Sequence, residues 1–388
     1  MGQNYFSASY QTMRLSARRF EISPFLNHYQ TDDMVFGAYA GRFYPLFCGQ
    51  DVLENYWKLR RQVVLFDVPE RPIRIKGPDA IALLEKVFTR KISTLKVGRA
   101  RYGIACLPTG GIFMDGVLIR LSDDEYWYVQ ANGDMDNWLA AHGHGLDVEI
   151  SDPKSWVLQI QGPRSMDVLK AVTNGVLDEN DFGYFHTRIV EMGGQNILVS
   201  RTGWTNELGF EIYTQGTDTD CDALWAHLMK HGEPHGMVFN TLDSMGIRRI
   251  EGGILDNGTD MDPSMTPYEA GLGAFVHLDK GDFIGRDALQ NASREPLLVG
   301  LKCKTAVPLV GLEVFDADEA VAAMKIGAWS PFLDCGIGYV RFHQSGDWMG
   351  KELRLRDQNG DSHPCEIVDL PFYDAEKRIP RGLDRKVP

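Results

Sequence analysis

Three stretches of the 388-residue sequence hold polar groups in settings where they can do chemistry. The first is GGIFMDGVLI, residues 110–119. Two glycines permit a tight turn, and the apolar, partly β-branched run after them predicts a strand. Ile112, Met114, Gly116 and Leu118 then share one face, and Phe113, Asp115, Val117 and Ile119 the other. Both faces are apolar, so the strand is expected to be buried on both sides with Asp115 as its single carboxylate. A carboxylate without partners in such a place costs several kcal/mol or takes up a proton. It is therefore either satisfied by backbone N–H groups at the strand end or aimed into a ligand cavity. The second stretch, RTGWTNELGFEIY at residues 201–213, predicts a loop that leaves as a strand at Phe210, with Glu207 at its tip. A glutamate at a loop tip is ordinarily solvated. The third, IRRIEGGILDNGTDMDPSMTPYEAGLG at residues 247–273, ends an apolar helix on Arg248 and Arg249. Adjacent arginines are a solvated face or the seat of an anion.

The elements that must position these groups follow from the rest of the chain. IRIKGPDAIALLEKVF (residues 73–88) and VLQIQGPRSMDVLKAVT (157–173) share a strand, a Gly-Pro turn and an amphipathic helix. Each is followed by alternating segments, so each copy reads as β, α, then antiparallel β, an internal duplication. Residues 218–251 read as helical, and from residue 296 short strands alternate with glycine and charged turns, among them the hairpin signal DQNGDS. The expected division is a duplicated region over residues 1–290 and a β-barrel domain over 291–388.

Composition narrows the function. A hydrophobic content of 44% with 24% charged residues is that of a globular chain large enough for two or three domains. The net charge of −13 argues against a nucleic-acid backbone or an anionic membrane as partner, leaving an anionic small ligand only through a local arginine cluster. Six scattered cysteines without CxxC spacing, no apolar N-terminal segment and no span-length apolar run point to the cytoplasm. The histidine pairs HGH (142–144) and HGEPH (231–235) lack a third ligand at recognisable spacing, so no metal is expected.

Taken in order, the three stretches resemble the glycine cleavage T-protein (aminomethyltransferase) family of tetrahydrofolate-dependent one-carbon transferases. Asp115 falls on the family's strand aspartate. Gly203, Trp204, Thr205, Glu207, Gly209, Phe210 and Glu211 match its loop motif, and Arg249, Ile250, Glu251, Gly252 and Gly253 its helix-end motif, followed by Thr266 and Pro267. The resemblance implies an α+β, three-lobed fold: two related α+β lobes and a C-terminal β-barrel around a central folate channel. It implies Asp115 as the catalytic carboxylate. It also implies a folate site in which Glu207 accepts from the pterin edge, Arg249 holds the anionic benzoyl-glutamate end, and Tyr102 lines the channel. Gln130 lies near the family's folate-contacting asparagine. Tyr39, Phe43, Tyr44 and Trp204 either wall a cation or flat ring or pack in the core.

Residues 23–45 and the tail PFYDAEKRIP look closer to the demethylase branch of that family, which takes a methyl group from a sulfonium or methoxy-aromatic acid. The sulfonium enzyme has no glutamate at the position of Glu207. The expected reaction is methyl transfer from a small-molecule donor to N5 of tetrahydrofolate. The alternatives are the aminomethyltransferase of the glycine cleavage system, which brings a lipoyl carrier protein as partner, and a non-catalytic folate-binding protein.

Overall fold

The computed structural model describes residues 19–388. Its first sheet has five strands in the spatial order Arg99–Cys106, Ile112–Arg120, Glu125–Gln130, Arg71–Lys76 and Glu149–Ser151. The second has six: Thr187–Met192, Gln195–Ser200, Gly209–Tyr213, Val157–Gln161, Val63–Val68 and Met237–Phe239. The first four strands of each sheet follow the same chain order, and in each the strand before the Gly-Pro turn lies fourth. The helices after those turns, Ala80–Val87 and Ser165–Val172, each bury one stripe: Ala80, Leu83, Leu84 and Val87 in one, Ser165, Met166, Val168, Leu169 and Val172 in the other. That spacing of three and four residues folds each helix back onto the sheet it leaves.

The helical expectation for residues 218–251 is interrupted. Cys221–Gly232 is a helix whose N-cap Asp220 accepts from the Ala223 amide, and Leu242–Glu251 is another, but Met237–Phe239 between them pairs in parallel with Val63–Val68. After Gly236, with φ +82°, the chain reverses, and three apolar residues satisfy their backbone groups by extending a buried sheet.

The helix Leu242–Glu251 is the keystone of the fold: every residue from Asp243 to Glu251 is buried. It packs against the helix Val52–Arg61 and against the C-terminal barrel, where Ser330 Oγ donates to Glu251 Oε1 at 2.6 Å and Tyr339 Oη to the Arg249 carbonyl at 3.1 Å. The barrel closes in the order Leu298–Cys303, Cys335–Phe342, Glu319–Ser330, Glu313–Asp316, Leu353–Arg356 and Ser362–Val368, which leaves no free sheet edge. DQNGDS turns the fifth of these strands into the sixth. The architecture is the α+β fold with a C-terminal barrel expected from the sequence. No helix among the described residues is long and apolar enough to cross a membrane.

Candidate active site

A cavity of about 1170 Å³ opens among the two sheets, the keystone helix and the C-terminal tail. Asp115, Tyr102, Gln130, Trp204 and Glu207 all lie on its wall, so the fold brings together residues from four separate segments.

The strand Ile112–Arg120 places Asp115. The Gly-Gly turn ahead of it is needed twice over: Gly110 has φ +86°, and a Cβ on Gly111 would lie 2.0 Å from the Pro263 carbonyl oxygen. Residues 263–265 dock there, the Ile112 amide donating to the Met265 carbonyl at 2.8 Å. Strand-end amides do not satisfy the Asp115 carboxyl. Its Oδ2 accepts from Tyr102 Oη at 2.9 Å, while Oδ1 is buried with no hydrogen-bond partner among the described residues. Burial, with a smaller push from Asp256, raises its pKa from 3.8 to about 7. Tyr102 comes from the neighbouring edge strand, its ring edge-on to Phe275 at 4.9 Å, and burial beside Asp115 holds its phenol well above the usual range. Gln130 is the cross-strand partner of Gly116, and its Oε1 accepts from the Met135 amide at 3.1 Å.

Glu207 is not a solvated loop tip. It is 5% exposed, and its Oε1 accepts from Arg60 and from Arg248 Nε, the latter at 2.7 Å. Two guanidiniums thus neutralise one carboxylate from behind, while the group itself lines the cavity. The loop is held rigid by Thr205, whose Oγ1 donates to Gln161 Oε1 at 2.7 Å and accepts from the Glu207 amide at 3.1 Å.

The anchor role expected of Arg249 does not fit the structure. Its guanidinium is paired with the buried Asp260 and donates to the Ile254 carbonyl at 3.1 Å, and it is absent from the cavity wall. A guanidinium that deep requires a counter-charge, and Asp260 supplies it from the same loop. The pair instead fixes residues 254–257, which do line the cavity. The Arg249 guanidinium lies 5.0 Å from the ring centroid of Trp204, which is itself on the wall.

The wall also carries aromatic residues that the sequence left between cavity and core, and acids and cations that it did not single out. Tyr39 and Tyr44, from the hairpin Val35–Tyr39 and Arg42–Phe47, meet edge to face at 6.4 Å on the wall, whereas Phe43 packs on Phe20. Glu70 follows the buried strand Val63–Val68, and burial, then the neighbouring Glu211, pushes it up to about 8. Glu211 is held by Thr202 Oγ1 at 2.5 Å and Tyr213 Oη at 2.6 Å. The wall also carries the cations Arg90, Lys96, Arg99, Arg101, Lys377 and Arg381. Only the charge pattern around residues 90–101 hints at them in the sequence. Among the described residues no three His, Cys, Asp or Glu side chains are grouped as a metal would require.

The GCVT N-terminal domain family matches residues 34–280, and the glycine cleavage T-protein C-terminal barrel domain family matches residues 297–374. The chain belongs to the glycine cleavage T-protein family. It is 32% identical over 326 residues to an aminomethyltransferase of Alkaliphilus oremlandii, covering 81% of this chain and 87% of that one. An aminomethyltransferase of Koribacter versatilis is 32% identical over 348 residues, with 86% and 90% covered. The crystal structure of glycine cleavage system aminomethyltransferase T from Bartonella henselae superimposes with a TM-score of 0.81 at 25% identity, over 92% of this chain and 98% of that one. T-protein family members are folate-dependent one-carbon transferases that use tetrahydrofolate as substrate or cofactor. The cavity fits that ligand: it has the volume, the aromatic surfaces of Tyr102, Trp204 and Phe275, and at Asp115 Oδ1 a buried acceptor that the protein leaves unpaired.

Proposed function

We propose that the chain is an aminomethyltransferase that takes an aminomethyl group carried on a lipoyl thiol and delivers its carbon to tetrahydrofolate. The observation that carries this reading is Asp115, a cavity-facing carboxyl with one oxygen fixed by Tyr102 and the other unpaired, in a chain a third identical to aminomethyltransferases over most of its length. When bound, tetrahydrofolate supplies N5, the amine that accepts the one-carbon unit.

This chain's residues do the remaining work. Glu207, with Oε1 engaged by Arg60 and Arg248, presents Oε2 to the forked N–H edge of the pterin. Tyr102, Trp204 and Phe275 flank the flat rings. Arg90, half-buried on the wall and facing no carboxylate, takes over from Arg249 as the anchor for the anionic end. With a pKa of about 7, Asp115 is divided between its two forms at neutral pH. It therefore can hold the proton that the acceptor amine loses, or return one to the departing amine. The hydroxyl of Tyr102 keeps the carboxyl aimed in either state.

A second reading, demethylation of a small cationic methyl donor, is favoured by Tyr39 and Glu70. Tyr39 stands near both Glu70 and Asp115, and the buried Glu70 Oε2 has no partner among the described residues. An aromatic face beside a carboxyl suits a sulfonium or a substituted ammonium. One experiment separates the two. Purified protein with tetrahydrofolate is supplied either with the aminomethylated lipoyl carrier or with sulfonium and methoxy-aromatic acids. Ammonia release with the carrier supports the first reading. Formation of 5-methyltetrahydrofolate from a methyl donor, with no ammonia from the carrier, replaces it with the second. Tetrahydrofolate binding without turnover of any donor leaves a folate-binding protein.

A further inference from the structure

Asp115 shares the cavity wall with a second carboxyl that has an unpartnered oxygen. Glu70 Oε2 is buried with no hydrogen-bond partner among the described residues, and Oε1 takes only a long contact of 3.5 Å from Gln159 Nε2. The same amide group donates to Glu211 Oε1 at 3.2 Å, so Gln159 bridges two carboxyls. The two are not equivalent. Glu211 Oε2 also accepts from Thr202 Oγ1 at 2.5 Å and Tyr213 Oη at 2.6 Å, a set of donors that stabilises a carboxylate. Glu70 has no such set and forms no ion pair among the described residues. Arg42 is the cation beside it, but its Nη1 donates to the Glu70 carbonyl at 2.8 Å and its Nε to Glu21 at 3.2 Å.

Burial, then the charge of Glu211, pushes the Glu70 carboxyl up to about 8; Asp67 adds to this, while its own backbone N–H and Arg42 act the other way. The phenols of Tyr39 and Tyr213, which also lie in its field, are neutral. At neutral pH Glu70 is thus a carboxylic acid beside a carboxylate, able to give up a proton.

The sheet register sets Glu70 level with Asp115. Arg71 pairs with Gln130 and Gln130 with Gly116, so the next row holds Glu70, Ala131 and Asp115, and the Ala131 amide donates to the Asp115 carbonyl at 3.2 Å. Residues in one row of a sheet present their side chains to the same face, and two strand spacings put these two α-carbons about 10 Å apart. Tyr39 lies within the field of both carboxyls. Two nitrogens bonded to one carbon are about 2.4 Å apart, and a hydrogen bond of about 2.8 Å on each side brings the span to about 8 Å. One carbon in transit between two amines therefore fits between the two acids.

We infer that Glu70 is the catalytic acid for the departing amine: it binds the nitrogen of the aminomethyl donor and protonates it as the C–N bond breaks, while Asp115 serves the accepting amine of tetrahydrofolate. The C–N and C–S bonds of the donor break and two C–N bonds to tetrahydrofolate form. The electron pair of the broken C–N bond stays on nitrogen, which takes the Glu70 proton and leaves as ammonia. The two protons shed by the accepting nitrogens restore the acid at Glu70 and the lipoyl thiol, so nothing beyond the two substrates is consumed. The inference rests on the aminomethyltransferase reading above. It also separates that donor from a sulfonium, which has no N–H to offer Glu70 Oε2 and no need of a proton.

The test measures ammonia release in single turnovers with the aminomethylated lipoyl carrier and tetrahydrofolate, from pH 6 to 9.5, for the wild type, Glu70→Gln and Glu70→Asp. The wild-type rate should fall about ten-fold per pH unit above about pH 8, where the acid has lost its proton. Glu70→Gln should lower the rate at pH 7 by about 10²-fold or more and abolish that alkaline limb, whereas Glu70→Asp should keep the limb with a smaller loss. Tetrahydrofolate affinity by calorimetry should be unchanged in both. The melting temperature of Glu70→Gln at pH 7 should stay near that of the wild type, because the amide and the protonated acid are both neutral. A wild-type rate that is flat from pH 7 to 9.5 overturns the inference whatever the variants do, and so does a folded Glu70→Gln protein that matches the wild-type rate at pH 7. In either case ammonia release by the wild type leaves the aminomethyltransferase reading standing. If the wild type releases no ammonia, that reading falls and this one with it; 5-methyltetrahydrofolate formed from a sulfonium donor and lost in Glu70→Gln would then make Glu70 a charge partner of the donor.

Discussion

Replacing Asp115 by Asn tests the site where structure and chemistry are most tightly joined. Burial raises the carboxyl from 3.8 to about 7, so the folded protein holds this proton about 10³-fold more tightly than the unfolded chain. The stabilising effect of that proton is full below pH 4 and is lost as pH rises through 7, because above that the folded state keeps a buried charge that the unfolded state solvates. At 1.36 kcal/mol per tenfold, the ceiling on this loss is about 4 kcal/mol at pH 8. Asparagine carries no charge at any pH. Its oxygen can still accept from Tyr102, but its amide donors then occupy the unpaired side, at a cost of about 1–3 kcal/mol. The variant is therefore expected to melt at or below the wild-type temperature at pH 5 and above it at pH 8. Single-turnover transfer to tetrahydrofolate should fall by about 10²-fold or more, the usual scale for a positioned acid–base group, and the wild-type rate should inflect near pH 7 where the variant's does not. Melting curves from pH 5 to 8 and quenched-flow rates on the same preparations give both readings. A variant equally destabilised at both pH values with its rate intact would refute the reasoning, reducing Asp115 to a hydrogen-bonded structural carboxylate.

Glu207→Ala leaves Arg60 and Arg248 buried and facing one another, and is expected to cost about 3–5 kcal/mol, seen as a lowered melting temperature; Glu207→Gln, nearly isosteric, is the variant in which to measure the loss of tetrahydrofolate affinity by calorimetry. Arg249→Gln and Asp260→Asn should each destabilise by about 3–5 kcal/mol, and the double variant by clearly less than the two together. Additive losses in denaturant titrations would mean that the two do not form a buried pair. Gly111→Ala forces a Cβ against the Pro263 carbonyl, so a loss of about 1–3 kcal/mol and a reduced turnover are expected, the latter because residues 263–265 brace the strand that carries Asp115.

Local pattern carried much of the fold. The stripe of Ala80, Leu83, Leu84 and Val87 has a helical period that no strand shares, and DQNGDS closes a hairpin by its own backbone preferences. Met237–Phe239 was not legible in this way. Three apolar residues between two helical patterns carry no period of their own, and their strand state is decided by Val63–Val68, some 170 residues earlier in the chain.

The site divides along a similar line. Asp115 could be singled out because a charge between two apolar faces is anomalous in the local sequence itself. Arg248, Arg249 and Glu207 sit in segments that admit either solvent or burial, and only tertiary contacts decide between them. Motif matching placed Arg249 at the ligand, whereas the structure assigns its charge to Asp260, eleven residues on. The motif preserves a position, but what that position does depends on which carboxylate lies nearest. The cations of the cavity wall carry the same lesson with the opposite sign. Arg90, Lys96, Arg99 and Arg101 look like ordinary surface charges in one dimension, and only the fold shows that all four stand on the cavity wall without an ion-pair partner among the described residues, unlike the buried Arg60, Arg248 and Arg249.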